Sequence, residues 1–274
     1  MTAVQRPPRP TLEQLRSVAQ PPEVRSRKNA EHWTAELYLR HISIYLTSVL
    51  VRTPISANGV TGLMILSGWA ISASLLVPGI WGPLLAVFFS QLQLYFDCSD
   101  GEVARWRGTQ SPKGIFLDKI GHYTTEGLIP IALGLRCLGE LGLLSRDPGQ
   151  AYLYLFLGAL LAFLIVLNKA QNEMVHASRA LAGMDKLPDT AEAKSVPATS
   201  FVGRLRRLAR FLPFHRVLHS VEMSLLILAA SIVSVVAGQQ VTGERWLLFV
   251  LVPAVLFVNI GHFVAIMASP RLRK

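Results

Sequence analysis

The stretch FDCSDGEVARWRGTQSPKGIFLDKIGHY, residues 96–123, is a charged island between two apolar runs, 80–98 and 115–138. Each run is long enough, as a helix, to cross a bilayer core of about 30 Å. Working outward, runs of the same kind fall at 57–78, 150–174, 217–238 and 246–268. The pattern predicts an all-α polytopic membrane protein with six transmembrane helices.

Composition agrees. The chain has 274 residues, of which 51% are hydrophobic and 16% charged, against about 25% charged in an average soluble domain. Disorder, collagen and a soluble fold are excluded on these grounds. Cys98 and Cys137 fall near opposite membrane faces and make no disulfide framework.

The net charge of +10 would suggest nucleic acid in a soluble chain. Its distribution argues otherwise. Of the 27 Lys and Arg, all but Arg136, Arg146 and Arg245 lie on one side of the predicted spans. That asymmetry places both termini in the cytoplasm of a cell whose cytoplasmic membrane holds the protein, with lipid and not nucleic acid as its surroundings.

Residues 1–29 are polar and Pro-rich and lack the apolar core of a signal peptide. They are expected to form a flexible cytoplasmic tail. Residues 30–52 mix apolar and charged positions at helical spacing, with Trp33, Leu37, His41 and Ile44 along one face. This predicts an N-terminal amphipathic helix on the membrane surface. A seventh span is the weaker alternative, because Arg40, His41 and Arg52 leave too short an apolar run. The six-span domain then covers 53–270, with a cytoplasmic 175–216 loop. Within that loop, residues 201–216 read as a basic amphipathic helix for an anionic leaflet.

Ionisable groups at the edge of a membrane span are costly and point to function. Asp97, Asp100 and Ala104 share one helical face, and Asp118 and His122 share another. An antiparallel helix pair joined by a loop of moderate length can turn both faces to one point. Three carboxylates without as many cations repel one another, and a divalent ion relieves this. Oxygen ligands favour Mg²⁺ or Mn²⁺. Gly101 and Ala104 leave the helix surface bare for a phosphate or nucleotide, and Arg105 can neutralise a diphosphate or pair with an aspartate.

The stretch resembles the signature of the CDP-alcohol phosphotransferases, D-x2-D-G-x2-A-R-x8-G-x3-D-x3-D. Asp97, Asp100, Gly101, Ala104, Arg105, Gly114 and Asp118 occupy seven of its eight defined positions. The six spans, the preceding surface helix and the Pro54, Asn58, Thr61 series opening the first span are also similar to that family. The resemblance implies transfer of a phosphatidyl or other substituted phosphoryl group from a CDP-linked donor, expected to be CDP-diacylglycerol, to an alcohol acceptor. CMP is released, as in phospholipid synthesis. It further implies a homodimer and a pair of divalent ions held by Asp97, Asp100 and Asp118 with the fourth position. Gly101, Ala104, Arg105, Gly114, Asn58 and Thr61 would cradle the nucleotide.

At the fourth position the family has aspartate and this chain has His122. Imidazole can ligate a divalent ion and can accept a proton near neutral pH, so His122 with Asp118 is the expected catalytic pair. One negative charge fewer, and a nitrogen donor, shift the expected preference toward Mn²⁺. A relative that has lost activity and only binds lipid or nucleotide is the alternative. An EF-hand is excluded, because aligning Gly101 to its invariant glycine puts Phe96 at the first ligand position. An intramembrane prenyltransferase would need a second aspartate-rich motif, and a transporter would not cluster its ligands at one face. Farther along, His215, His219 and Glu222 are polar candidates for an acceptor pocket, and Glu126 either shapes that pocket or bonds a neighbouring helix; Asn168, Asn172 and His176 form a polar row at helical spacing, and Lys169 is expected to pair with Glu173.

Overall fold

The computed structural model describes residues 6–7, 9–22, 39–139, 142–185 and 218–272. The helices are α1 Leu12–Ala19, α2 Arg40–Leu50, α3 Ala57–Leu75, α4 Trp81–Arg107 and α5 Pro112–Arg136. A short α6 Leu143–Arg146, then α7 Pro148–Leu181, α8 Ser220–Val236, α9 Thr242–Ala268 and a terminal 3₁₀ turn complete the order. The described residues contain no strand. The basic segment 201–216 and the start of the predicted surface helix, with Trp33, Leu37 and His215, lie outside them.

Each predicted apolar run forms a helix. The helices α7 and α9 are long and apolar enough to cross a membrane, and α8 is apolar but only 17 residues long. The polarity of α3, α4 and α5 comes partly from groups turned into protein, among them Ser67, Ser72, Ser90, Gln93, Thr125 and Glu126.

Two expectations are corrected. The loop predicted between the second and third runs is a turn over residues 108–111, because α4 continues to Arg107 and α5 starts at Pro112. Its stop is a Schellman cap. Gly108 takes φ +65, its N–H donates to Arg105 O at 3.4 Å, and Thr109 N–H donates to Ala104 O at 3.0 Å. The tail expected to be flexible contains α1. Thr11 and Gln14 form a capping box that starts it, and Leu15 and Ala19 are fully buried. Burying a leucine contributes about 1.5–3 kcal/mol toward holding this short capped helix against its neighbours.

The chain divides into two compact units. One comprises Met1–Ala70 with Phe88–Thr125, and the other Ile71–Val87 with Glu126–Lys274. In the first, Leu15, Ala19, Ile44, Leu50, Val51, Ala57, Val60, Val103 and Trp106 form one core cluster. On α2, Ser43, Ile44, Thr47 and Leu50 face inward, whereas Ile42, Tyr45 and Val49 are exposed. His41 and Ile44, expected on one face, therefore separate: His41 is exposed and Ile44 fully buried.

In the second unit α9 packs on α7 and on α8. Gly134 of α5 and Gly158 of α7 let two backbones meet, since a Cβ at Gly158 would lie 2.9 Å from Gly134 Cα. Arg136 and Glu244 form a sealed ion pair at 3.1 Å between α5 and α9.

Candidate active site

The candidate site lies within the first unit. It is built by the C-terminal half of α4, the N-terminal half of α5 and the start of α3. Helical spacing places Asp97 and Asp100 one turn apart on α4, and Asp118 and His122 one turn apart on α5. His122 Nε2 lies 3.0 Å from Asp97 Oδ1 and 3.5 Å from Asp118 Oδ1. One ligand atom from each of the three lies within 4.8 Å of the others. The group is neither sealed nor fully solvated: the side chains of His122, Asp97 and Asp118 are 27%, 25% and 39% exposed.

Asp100 is not a member of that group. Its Oδ2 accepts a hydrogen bond from Thr61 Oγ1 at 2.6 Å. Burial and the neighbouring Asp97 carboxylate push its carboxyl up to about 8, against the opposing pull of the Thr61 bond. A carboxyl that resists ionising beside two others is the electrostatic sign of a site short of positive charge. Two carboxylates and an imidazole, partly open to solvent, are a donor set that fits a divalent cation.

The other predicted residues fall around this cluster. Asn58 stands against Gly114, where an added Cβ would lie 3.2 Å from Asn58 Oδ1. Arg105 lies over Gly101, its Nη1 3.1 Å from where a Cβ would be. Its Nε donates to Ala19 O at 2.6 Å. Ala104, expected to leave the helix surface bare, packs against the core cluster.

Sequence reasoning missed three participants. Glu102 is 2% exposed and accepts from Gln20, Ser43 and Thr47. The Arg107 guanidinium donates to the carbonyls of Leu50, Thr53 and Ile55, closing the end of α2. Arg6 donates to the carbonyls of Arg105 and Trp106 and lies over the Trp106 ring. Only α1 had a local signal, the Thr11-x-x-Gln14 box ahead of Leu15.

Within the second unit, Glu126 pairs with Lys169 at 2.7 Å and with His219 at 3.2 Å. Through the Glu126 pair, Lys169 links α7 to α5. Asn168 lies 3.3 Å from His262, and Asn259 donates to Leu164 O at 3.0 Å.

Apolar helices of membrane-crossing length and a half-open carboxylate–imidazole cluster define a helical membrane protein with a candidate metal centre. The family model for CDP-alcohol phosphatidyltransferase matches residues 54–272. The chain belongs to that family of transferases, and the match begins just ahead of Asn58 and Thr61. No curated protein sequence matches the chain.

Proposed function

We propose that the protein transfers a phosphatidyl group from CDP-diacylglycerol, or another substituted phosphoryl group from a CDP-linked donor, to an alcohol acceptor, and releases CMP. The observation that carries this reading is the convergence of Asp97, Asp118 and His122, at motif spacing, inside a family-matched region. The acceptor oxygen bonds to the lipid-side phosphorus as the bond from that phosphorus to the CMP oxygen breaks, in line.

A divalent cation, Mg²⁺ or Mn²⁺ and in the family pattern two, would supply charge stabilisation at the donor's diphosphate and the departing CMP oxygen. Asp97 and Asp118 would hold it, with His122 able to join them, and Asp100, outside that group and bonded to Thr61, is the further ligand of the family pattern. A neutral imidazole has one lone pair, so His122 either ligates or takes a proton, not both at once. In the reacting complex His122 takes the proton of the acceptor hydroxyl. Asp97 and Asp118, at 3.0 and 3.5 Å, then stabilise the imidazolium. Thr61 orients Asp100, and Asn58, Gly101, Arg105 and Gly114 bound the nucleotide.

In this reading the chain has six spans with cytoplasmic termini, and the chemistry lies at the inner membrane edge, where a soluble acceptor and a lipid tail arrive from different sides. The exposed Ile42, Tyr45 and Val49 of α2 favour its lying in the interface. A homodimer completes the reading.

The test is CMP release by detergent-purified protein from CDP-diacylglycerol with a panel of alcohols, in Mg²⁺ and in Mn²⁺. Acceptor-dependent release that disappears in His122→Ala is the expected result. Silence from the wild type with activity in His122→Asp would mean that the natural chain is an inactive relative.

A further inference from the structure

Glu102 sits two residues beyond Asp100 on α4, about 200° around the helix, so it faces away from the aspartate cluster. A buried carboxylate needs donors. Its Oε1 accepts from Gln20 Nε2 at 2.7 Å and Ser43 Oγ at 2.7 Å, and its Oε2 accepts from Thr47 Oγ1 at 2.6 Å. All three donors precede residue 54, where the family match begins. The next residue contact on this side is made by Arg105. Its Nε donates to Ala19 O, a carbonyl that the end of α1 leaves without a helical partner. Ala19 and Gln20 are adjacent, so one chain end serves both motif-helix side chains. Arg6 adds a third attachment through the Arg105 and Trp106 carbonyls.

We infer that Glu102 is a positioning residue of the transfer reaction. It fastens the end of α1 and the inner face of α2 to the motif helix. The Ala19 carbonyl so delivered fixes the Arg105 guanidinium over Gly101, where it meets the donor's diphosphate. The N-terminal segment, outside the family-matched region, is thereby part of the donor site. This inference rests on the transferase reading above.

The test uses full-length protein in detergent, with Glu102→Leu, Glu102→Gln, Gln20→Leu and Thr47→Val. Three readouts are taken: hydrogen exchange of residues 12–19, the Kd for CDP in Mn²⁺, and KM against kcat for CDP-diacylglycerol. Losing charge-assisted bonds of this kind costs about a factor of ten or more. Glu102→Leu should therefore lose protection of α1 and bind CDP about tenfold more weakly. Its donor KM should rise while kcat holds. Glu102→Gln should restore all three, since its oxygen can accept from Gln20 and Ser43 while its amide donates to the Thr47 hydroxyl. A merely structural role would lower the amount of folded enzyme without moving KM.

The inference is overturned if Glu102→Leu keeps α1 protected, or binds CDP as the wild type does, or if Glu102→Gln is as impaired as Glu102→Leu. Should Glu102→Leu not fold, Gln20→Leu and Thr47→Val decide, and wild-type CDP affinity in both overturns it. A wild type that neither binds CDP nor releases CMP removes the transferase reading and this inference together. A wild type that does both, with matching variants, removes the inference alone.

Discussion

Arg136 with Glu244, and His122 with Asp97 and Asp118, are two ionic clusters to which the same helix, α5, contributes. They are built on opposite terms. In the first, the side chains are 4% and 0% exposed and every charge is answered. Glu244 Oε1 accepts from Arg136 Nε at 3.1 Å and from Ser231 Oγ at 2.5 Å, and its other oxygen accepts from Ser234. The remaining Arg136 donors meet the carbonyls of Leu75, Val77 and Gly79 at 3.2, 3.0 and 2.6 Å. In the second, two carboxylates share one imidazole and stay partly exposed. A fully neutralised, dry cluster holds helices together. A cluster short of positive charge and open to solvent keeps room for a cation and a substrate.

The largest expected effect breaks the first cluster. Arg136→Leu leaves a buried carboxylate and three carbonyls without their donor and should cost about 3–5 kcal/mol of stability, read as a lowered melting transition in detergent. Adding Glu244→Leu should recover part of it. A wild-type melting curve for Arg136→Leu would erase the distinction between the two clusters.

Next in size is the reverse experiment. His122→Ala should lower transfer by about 10²–10⁴-fold while melting close to the wild-type temperature. A stability loss like that of Arg136→Leu would make the half-open cluster structural as well.

Without divalent metal the open cluster should also impose a pH dependence. The Asp100 carboxyl is raised from 3.8 to about 8 by burial and by Asp97. A raised carboxyl binds its proton more tightly folded than unfolded, so its stabilisation is complete below 3.8 and is lost as pH climbs to about 8. The melting temperature of metal-free protein should fall over that interval. Mn²⁺ should restore it most at the alkaline end, and Asp97→Asn should flatten the slope. A flat profile in the metal-free wild type would show that Asp100 does not share this burden.

The smallest effect is expected from Thr61→Val, which removes one hydrogen bond to Asp100 at about 1 kcal/mol, or about fivefold in transfer. Its melting curve should barely move.

The helices were legible because apolar run length and periodicity are local properties. The motif was equally legible: i, i+3 and i, i+4 spacings put Asp97 with Asp100, and Asp118 with His122, on common faces before any contact is known. The helix α1 was missed: the polar, Pro-rich composition suggested a tail and outweighed the one local signal, the Thr11 to Gln14 capping box. What these windows could not carry is partner identity. Arg136 and Glu244 are 108 residues apart, Gln20 and Glu102 are 82, and His122 and Asp97 are 25. A charge at a membrane edge reads the same in sequence whether it ends buried under three donors, as Glu102 does, or half-open beside a second carboxylate, as Asp97 does. The amino-acid sequence determined helix, motif and chemical type. Tertiary packing decided which charges are satisfied, because satisfaction depends on distant groups and on the water that packing excludes.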